Sequence, residues 1–363
     1  MKIVTVVGAR PQFIKAAAVS RVLRKDFTEV LVHTGQHYDA NMSDIFFEEL
    51  EIPRPDYHLG VGSGSHAKQT ADILVKTEEV LQKEKPDFLL VYGDTNSTFA
   101  AALAASKLLI PVIHVEAGLR SFNMSMPEEQ NRILTDHVST ILLCPTDTAV
   151  ENLRNENITK NVFQIGDVMC DAVRYYSEKM KRIKPDVFEK KIKYLFEKKD
   201  IGNRWYLATM HRAENTQSID NIKEVLSAFE ELDALVIFPV HPRIRKYIDK
   251  LYCQNHYSNI CFVEPLGYLE MLYFTQGAVK IITDSGGLQK EAYMLGRNVV
   301  TLREQTEWVE TLKGNHNILC KIKKEDILST INRIDIEQQF YENIFGDGRA
   351  AEKISSILKH SKD

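Results

Sequence analysis

The sequence is poor in cysteine, and its few cysteines are poorly placed for cross-links or metals. The five are an odd number, widely spaced, and none forms a C-x-x-C pair: Cys144, Cys170, Cys253, Cys261 and Cys320. This spacing excludes the disulfide framework of a small secreted domain and gives no structural zinc motif. We expect free thiols in or near the core, and no metal site.

Long apolar runs are also missing. No stretch approaches the roughly 20 residues that a bilayer-spanning helix needs. The opening run MKIVTVVG ends at Gly8 without the small-residue cleavage site of a secretory signal. We therefore expect a cytosolic protein that does not enter a membrane.

Neither an excess of positive charge nor a dinucleotide fingerprint is present. The 46 Lys and Arg residues are outnumbered by 50 Asp and Glu, for a net charge of −4, which disfavours nucleic acid as the main partner. No G-x-G-x-x-G segment occurs, so the sequence gives no reason to invoke NAD. We expect no cofactor.

What the sequence does contain is a repeated alternation of short apolar runs and longer amphipathic segments. With 363 residues it is long enough for two domains. Runs such as KIVTVVG, FLLVYGD and PVIHVEAG in the first half, and WYLATMHR and VKIITDSGG in the second, predict strands separated by helices. The pattern is typical of an α/β protein with two Rossmann-like, doubly wound parallel-sheet domains.

A polar, Lys- and Glu-rich stretch from 175 to 204 interrupts the strand pattern and predicts the domain boundary. We assign residues 1–172 to an N-terminal domain and residues 173–347 to a C-terminal domain. The final segment, 348–363, reads as a glycine turn followed by an amphipathic helix. Ligands of parallel sheets bind at the carboxyl ends of the strands, so a cleft where two such domains face each other is the natural substrate site.

Polar residues follow three predicted strands of the first half. Arg10 and Lys15 surround the start of a helix after Gly8, which suits an anion, although a glycine turn with solvated cations explains them as well. Asp94 and Glu116 each follow a strand, and Glu128 follows Pro127 at a predicted helix start. If the two strands are neighbours, about 4.8 Å apart, these carboxylates share one site and can serve as acid and base. The alternatives are a helix-capping acid and a solvated acidic loop.

The second half repeats this arrangement with different chemistry. His211 follows one strand, and Ser285, Gly286 and Gly287 lead from another strand into a helix, the strongest phosphate-binding signal in the chain. Glu291 on that helix is placed to accept hydrogen bonds from a ribose. His241 ends a further strand, where the residue type and position favour an ordinary core or loop histidine over a ligand contact.

The ordered motifs GARPQFIK, TGQHYD, YGDTNST, HVEAGLRS, PEEQNR, HRAEN, TDSGGLQKEA and GDGRAAEKI resemble the non-hydrolysing UDP-N-acetylglucosamine 2-epimerases over essentially the full length. The resemblance implies a GT-B-like pair of domains, with the last helix crossing back to the first domain, and a homodimer in a pathway to surface polysaccharide. It implies C2 epimerisation of a UDP-N-acetylhexosamine, by anti elimination of UDP to a 2-acetamidoglucal and re-addition of UDP.

The resemblance also assigns roles residue by residue. Asp94, Glu116 and Glu128 become acid and base candidates, and His211 assists the diphosphate. The remaining candidates would contact UDP: Arg10, Lys15, His241, Ser285, Gly286, Gly287 and Glu291. No metal or redox cofactor is implied, and the second domain becomes the UDP-binding one.

Two departures from the common family pattern concern the substrate, and a third concerns a second UDP-sugar site. The usual G-T-R-P-E is G-A-R-P-Q here, with Ala9 and Gln12, and the usual T-E-R-P-E carries Trp308 and Val309. These variants resemble the subgroup that acts on UDP-2,3-diacetamido-2,3-dideoxyglucuronate. A Q-H-R motif that binds a second UDP-sugar in many members is Gln36, His37, Tyr38 here. The alternatives from other classes are a hydrolysing epimerase, a GT-B glycosyltransferase and a catalytically silent nucleotide-sugar sensor.

Overall fold

A computed structural model of the chain describes residues 1–36, 47, 48, 50–52, 54–183, 188, 204–254, 257–333 and 343–361. The chain divides into two compact units. The first contains Met1–Tyr175 and Asn343–Asp363, and the second contains Tyr176–Glu342. No helix in the described part is long and apolar enough to cross a membrane.

The first unit is built on a parallel sheet. Its described strands are β1 (Lys2–Val7), β2 (Thr28–His33), β3 (Tyr57–His58), β4 (Phe88–Tyr92), β5 (Val112–Val115), β6 (Ile141–Cys144) and β7 (Val162–Gln164). Their order across the sheet is β3-β2-β1-β4-β5-β6-β7. The order reverses direction next to β1, which creates the topological switch point where doubly wound sheets bind ligands.

Helices cover this sheet and connect its strands. They are α1 (Arg10–Leu23), α2 (His66–Glu84), α3 (Asn96–Lys107), α4 (Pro127–Val138) and α5 (Asp147–Asn155). Helix α6 (Val168–Arg182) follows the last strand, β7, and its residues from Tyr176 onward belong to the second unit. The alanine-rich face of α3 is buried against the sheet beside Val4, Val6 and Val91. Small side chains let the helix approach closely, and Thr95 caps its first turn by accepting from the Thr98 amide at 3.3 Å.

The second unit repeats the architecture. Its described strands are β8 (Trp205–Thr209), β9 (Leu235–Pro239), β10 (Ile260–Val263), β11 (Ile281–Thr283), β12 (Val299–Thr301) and β13 (Asn317–Leu319), in the order β10-β9-β8-β11-β12-β13 and all parallel. The helices are α7 (Ala213–Thr216), α8 (Ile219–Glu230), α9 (Pro242–Gln254), α10 (Tyr268–Gly277), α11 (Gly286–Met294) and α12 (Lys324–Arg333), with a 3-10 helix at Val309–Asn315. The predicted fold class, two parallel-sheet α/β domains, is confirmed.

The C-terminal helix α13 (Ala350–His360) belongs to the first unit, as the resemblance implied. Asp171 of α6 accepts from the first amides of α13, Ala350 at 3.0 Å and Ala351 at 2.8 Å. Ile354 and Leu358 are fully buried on its inner face. Both ends of the chain therefore contribute to the same core.

The described cysteines Cys144, Cys170, Cys261 and Cys320 are free thiols, and two of them, Cys144 and Cys320, are buried. The side chain of Cys253 lies outside the described part. Burial raises the pKa of the Cys170 thiol to about 11, so this thiol is protonated and a poor nucleophile at neutral pH.

His33, the last residue of β2, should make the free energy of unfolding depend on pH. It is 1% exposed and packs on Phe13, with ring centroids 5.1 Å apart. Burial, with a smaller contribution from His58, lowers the pKa of His33 from its ordinary 6.5 to about 4. Between pH 6.5 and about 4 the unfolded chain binds a proton at His33 that the folded chain does not. The contribution of neutral His33 to the free energy of unfolding is therefore fully present above pH 6.5 and is lost as the pH falls toward 4.

We expect that contribution to fall by about 1.4 kcal/mol per pH unit over this window. His33→Phe retains the ring packing and removes the titrating group. Thermal unfolding of both proteins from pH 7.5 to 5 should give a shallower pH dependence for the variant. Parallel curves would show that His33 does not titrate differently in the two states.

Candidate functional site

The carboxyl ends of β4 and β5 bring two predicted acids together. The strands pair in parallel, with Tyr92 opposite Val115, as the sequence analysis required. Asp94 lies two residues beyond β4, and Glu116 directly follows β5. The Gly93 amide donates to the Val115 oxygen at 3.0 Å, and a Cβ added at Gly93 would lie 3.2 Å from the Glu116 Oε2. The two turns at the strand ends are therefore in contact.

Glu116 is buried, paired with a cation and held in an unusual backbone conformation. It is 7% exposed, and its carboxylate forms an ion pair with the ammonium of Lys15 on α1. Its φ is +75°, in the left-handed region that non-glycine residues avoid. Such strain costs about 1–3 kcal/mol and is concentrated at functional sites.

Asp94 is more accessible, with a side chain 32% exposed. It pairs with Arg132 of α4 across 2.5 Å, and Asn131 donates to its backbone oxygen at 3.0 Å. Arg132 also lies 3.1 Å from the carboxylate of Glu129. Helix α4 therefore anchors the turn that carries Asp94, a role for Arg132 and Asn131 that the sequence did not reveal.

Helix α4 begins at Pro127 and separates the two glutamates that follow. Glu128 is exposed in the first turn, as expected for an acid directed at a ligand, whereas Glu129 is fully buried. Glu129 accepts from the amides of Ser121 at 2.9 Å and Phe122 at 2.8 Å, and so fixes the loop after β5. The adjacent acids thus have different roles, one available to a ligand and one structural.

Gln12 holds the switch point together. Its carbonyl oxygen accepts from the amides of Gly8 at 2.8 Å and Ala9 at 3.1 Å, and its amide donates to the Tyr92 oxygen at 2.8 Å. It thereby joins the loop after β1 to the end of β4. Arg10, half-buried, is the first residue of α1 at this same edge.

In the second unit, Asp284 organises the ends of β8 and β11. It is fully buried and accepts from the amides of His211 at 3.0 Å and Arg212 at 2.9 Å, and from the Asn215 side chain at 3.1 Å. The His211 Nδ1 lies 3.2 Å from its other oxygen, while 38% of the His211 side chain is exposed. His241, half-buried after β9, has its ring centroid 5.8 Å from that of His211.

Helix α11 begins at Gly286, with Ser285 before it as the N-cap and Gly287 as its second residue. Ser285 caps the helix by accepting from the Leu288 amide at 3.4 Å, and Glu291, 8% exposed, lies one turn further along. A Cβ on Gly286 would collide with the Glu307 carboxylate, whereas the nearest atom to a Cβ on Gly287 is the Ser285 Oγ at 3.9 Å. Packing explains the first glycine, and only the second leaves open space beside the helix N-terminus.

The T-E-W-V-E segment contacts this helix. Glu307 lies 3.0 Å from Arg303, and Trp308, 3% exposed, carries the buried ammonium of Lys290 3.6 Å above its ring centroid. A cation on an indole face is stabilising, more so when desolvated. The Trp308 substitution is therefore accommodated by a specific neighbour on α11.

The comparisons with known proteins agree with this architecture. The sequence model of the family described as UDP-N-acetylglucosamine 2-epimerase matches residues 21–359. The chain belongs to this family. A Methanococcus maripaludis protein named "UDP-N-acetylglucosamine 2-epimerase homolog" is 52% identical, over 99% of this chain and 100% of that protein. This family member is therefore an epimerase-type enzyme.

Two further relatives of this epimerase differ in their stated substrates. The UDP-2,3-diacetamido-2,3-dideoxy-D-glucuronate 2-epimerase of Pseudomonas aeruginosa is 43% identical over 99% of both chains. The solved Methanocaldococcus jannaschii UDP-GlcNAc 2-epimerase, in complex with UDP-GlcNAc and UDP, is 39% identical with a TM-score of 0.90, over 99% of this chain and 100% of that one.

Two expectations for this epimerase concern ligands other than the main substrate. In the described part, no group of three or more His, Cys, Asp or Glu residues is arranged to hold a metal ion. Gln36 is buried and accepts from the amide and hydroxyl of Ser97 at 2.9 and 2.6 Å, while His37 and Tyr38 lie outside the described residues. The prediction for a second UDP-sugar site thus stays untested.

Proposed function

We propose that the chain catalyses reversible epimerisation at C2 of a UDP-N-acetylhexosamine, interconverting UDP-GlcNAc and UDP-ManNAc without hydrolysis. The observation that carries the proposal is the contact between the Asp94 and Glu116 turns, at the switch point of a chain so similar to an epimerase with UDP-GlcNAc bound. Acid and base groups at one site are what removal and return of a C2 proton require.

In the proposed reaction, a carboxylate of the first unit takes the proton from C2 as the C1–O bond to UDP breaks, leaving a 2-acetamidoglucal. UDP then re-adds at C1 while a second acid returns a proton to C2 on the opposite face. Glu116 with Lys15, Asp94 with Arg132, and Glu128 are the candidates for these transfers. Their order is an outcome to be measured.

The proposed UDP contacts use charge and helix geometry. Ser285, Gly287 and the N-terminus of α11 offer donors to the diphosphate, and His211 donates as negative charge develops on the leaving oxygen. Gly286 serves this turn through its packing on Glu307. Glu291 would accept from the ribose hydroxyls, and Arg10 and His241 would complete the UDP contacts.

Proton NMR in deuterated water with UDP-GlcNAc tests the proposal. We expect deuterium at C2 and growth of a UDP-linked manno sugar. Free mannosamine sugar with UDP would instead indicate a hydrolysing enzyme. A transferase would require an acceptor for turnover, and UDP binding without turnover of either candidate substrate would indicate a sensor.

A second substrate has its own support. The Pseudomonas aeruginosa relative is named for UDP-2,3-diacetamido-2,3-dideoxy-D-glucuronate. Trp308 and Val309 carry the resemblance to that subgroup noted in the sequence. The same NMR experiment with this sugar distinguishes the candidates. Deuterium incorporation with it alone would assign the chain to that subgroup. The homodimer stays a prediction, which light scattering of the purified chain would test.

His211→Ala should slow expulsion of UDP by about 100- to 1000-fold, because one hydrogen-bond donor to the developing charge is lost. Rapid-quench measurement of glycal formation in a single turnover would report this step. His360→Ala, at an exposed histidine of α13, is the matched control. An unchanged single-turnover rate in His211→Ala would remove His211 from the proposed mechanism.

A further inference from the structure

His114 is a fully buried histidine in the interior of the first unit, on β5 two residues before Glu116. Both of its ring nitrogens have close partners. The Nδ1 lies 2.7 Å from the Asp136 Oδ1 of α4, and the Nε2 lies 2.7 Å from the backbone oxygen of Gly93. Gly93 immediately precedes Asp94.

The partners determine where the ring protons are. A backbone carbonyl can only accept, so the Nε2 has to donate. An ionised carboxylate can also only accept, so the Nδ1 has to donate as well. With both nitrogens protonated, His114 is an imidazolium. A neutral ring fits only if Asp136 carries the proton on its Oδ1.

Asp136 is built to remain ionised. Its other oxygen accepts from the Gly118 amide at 3.1 Å and from the Arg120 guanidinium at 2.7 Å. Burial alone would raise the pKa of this carboxyl, but His114 and Arg120 together lower the pKa below its ordinary value. Arg120 also forms a two-bonded pair with Glu156, at 2.6 and 2.7 Å, which balances its charge.

We propose that His114 is held permanently as an imidazolium and is a positioning residue for Asp94 and Glu116. The His114 ring and the strand that carries it bind both the oxygen and the amide of Gly93. The Nε2–H donates to the Gly93 oxygen, and the Gly93 amide donates to the Val115 oxygen at 3.0 Å. Gly93 has a φ of +64°, which lets the chain turn here directly into Asp94.

The charges around the ring support a fixed cation. Helix α4 contributes Asp136, the loop after β5 contributes Arg120, and the end of β5 carries Glu116 paired with Lys15. From the neighbouring strand β6, Cys144 adds no charge, because burial raises the pKa of its thiol far above the physiological range. His114 is thus a cation among paired charges in a buried position, and loss of its proton would leave Asp136 with one donor fewer.

Asp136→Asn tests the assignment with little change in shape. The Asn oxygen can still accept from Gly118 and Arg120, while its amide donates to the Nδ1 of a neutral His114. Every hydrogen bond is kept and the imidazolium is removed. Glu29→Gln is the matched control, because Glu29 is also buried, accepts from Thr5 and Arg24 at 2.7 Å, and lies at the opposite, amino end of the sheet.

Nitrogen-15 NMR of the histidine-labelled full chain reads the protonation directly. We expect one imidazole with both nitrogens protonated at neutral pH, and its signal should become that of a neutral ring in Asp136→Asn. His114→Gln, whose amide can still reach the Gly93 oxygen, provides an independent assignment if Asp136→Asn does not fold. An unprotonated Nδ1 in the wild-type chain would overturn the proposal.

The positioning role rests on the proposed function and is tested by kinetics. Asp136→Asn should lower kcat for C2 exchange by about 10- to 100-fold with KM nearly unchanged, because the neutral ring donates a weaker hydrogen bond to the Gly93 oxygen than the imidazolium does and holds Asp94 less firmly. Glu29→Gln should retain wild-type kcat. Wild-type kcat in Asp136→Asn would refute the positioning role alone, whereas an inactive wild-type chain would count against the proposed function and leave the NMR result intact.

Discussion

Glu116→Gln should lower the rate of C2 exchange by at least about 100-fold while UDP still binds. A glutamine cannot exchange a proton with C2, and acid or base groups commonly contribute factors of this size or larger. The substitution also leaves the Lys15 ammonium without its carboxylate partner in a buried site. The rate loss should therefore be in the chemical step, measured as deuterium incorporation at C2 with saturating substrate.

A double-mutant cycle sharpens this prediction. If Lys15 acts through Glu116, Lys15→Met should add little to the loss already caused by Glu116→Gln, because interacting residues give non-additive effects. Glu151→Gln, at an exposed ion pair on α5, controls for a general effect of removing a carboxylate. Near-wild-type exchange in Glu116→Gln would exclude this residue as acid or base and shift the assignment to Asp94 or Glu128.

The sequence is informative about this site because strand ends are visible as the points where apolar runs stop. In a parallel sheet those points lie at one edge, so the amino-acid order places Asp94 and Glu116 at the same edge, and the pairing of β4 with β5 in the structure makes them neighbours. Glu128 is likewise located by Pro127, which favours the first helical turn. The role of Ser97 cannot be predicted from its position near the start of α3. Thr95 caps that helix, and the Ser97 hydroxyl instead donates to the side chain of Gln36.

Residues that support the site are much harder to find. His114 and Asp136 are 22 positions apart, and Arg132 lies 38 positions from Asp94, so no local periodicity links them. The short strands β3, β7 and β13 also escape prediction, because two or three residues at a sheet edge give no apolar run. Gly286 has the sequence context of a phosphate-binding glycine, and only its contact with Glu307 accounts for it as packing.

Asp284→Ala should destabilise the second unit by about 3 kcal/mol and weaken UDP binding at least about 10-fold. Asp284 accepts from three separate donors in a fully buried position, from His211, Arg212 and Asn215. Alanine would leave these donors without an acceptor, which costs about 1–3 kcal/mol for each buried group that water cannot reach. Because this carboxylate holds the His211 backbone, and Asp284 directly precedes Ser285 at the start of α11, the UDP contacts should be weakened with it.

The two tryptophans allow the stability of the second unit to be measured separately from that of the first. Trp205 and Trp308 are the only tryptophans in the sequence, and both lie in the second unit, 9% and 3% exposed. Urea unfolding followed by tryptophan fluorescence therefore reports the unit that contains Asp284. The midpoint should fall in Asp284→Ala, whereas Asp220→Asn, at an exposed aspartate of α8, should leave it unchanged.

Asp284→Asn separates stability from ligand binding. The asparagine keeps the volume and one acceptor oxygen, but its NH2 group would face a donor, so we expect an intermediate loss of stability. UDP affinity, measured by calorimetry on the folded variant, should fall in parallel, because the same hydrogen bonds position the His211 and Arg212 backbone. Weakened folding with wild-type UDP affinity would show that the end of β11 is a structural element and would remove the turn at Ser285–Gly287 from the proposed diphosphate site.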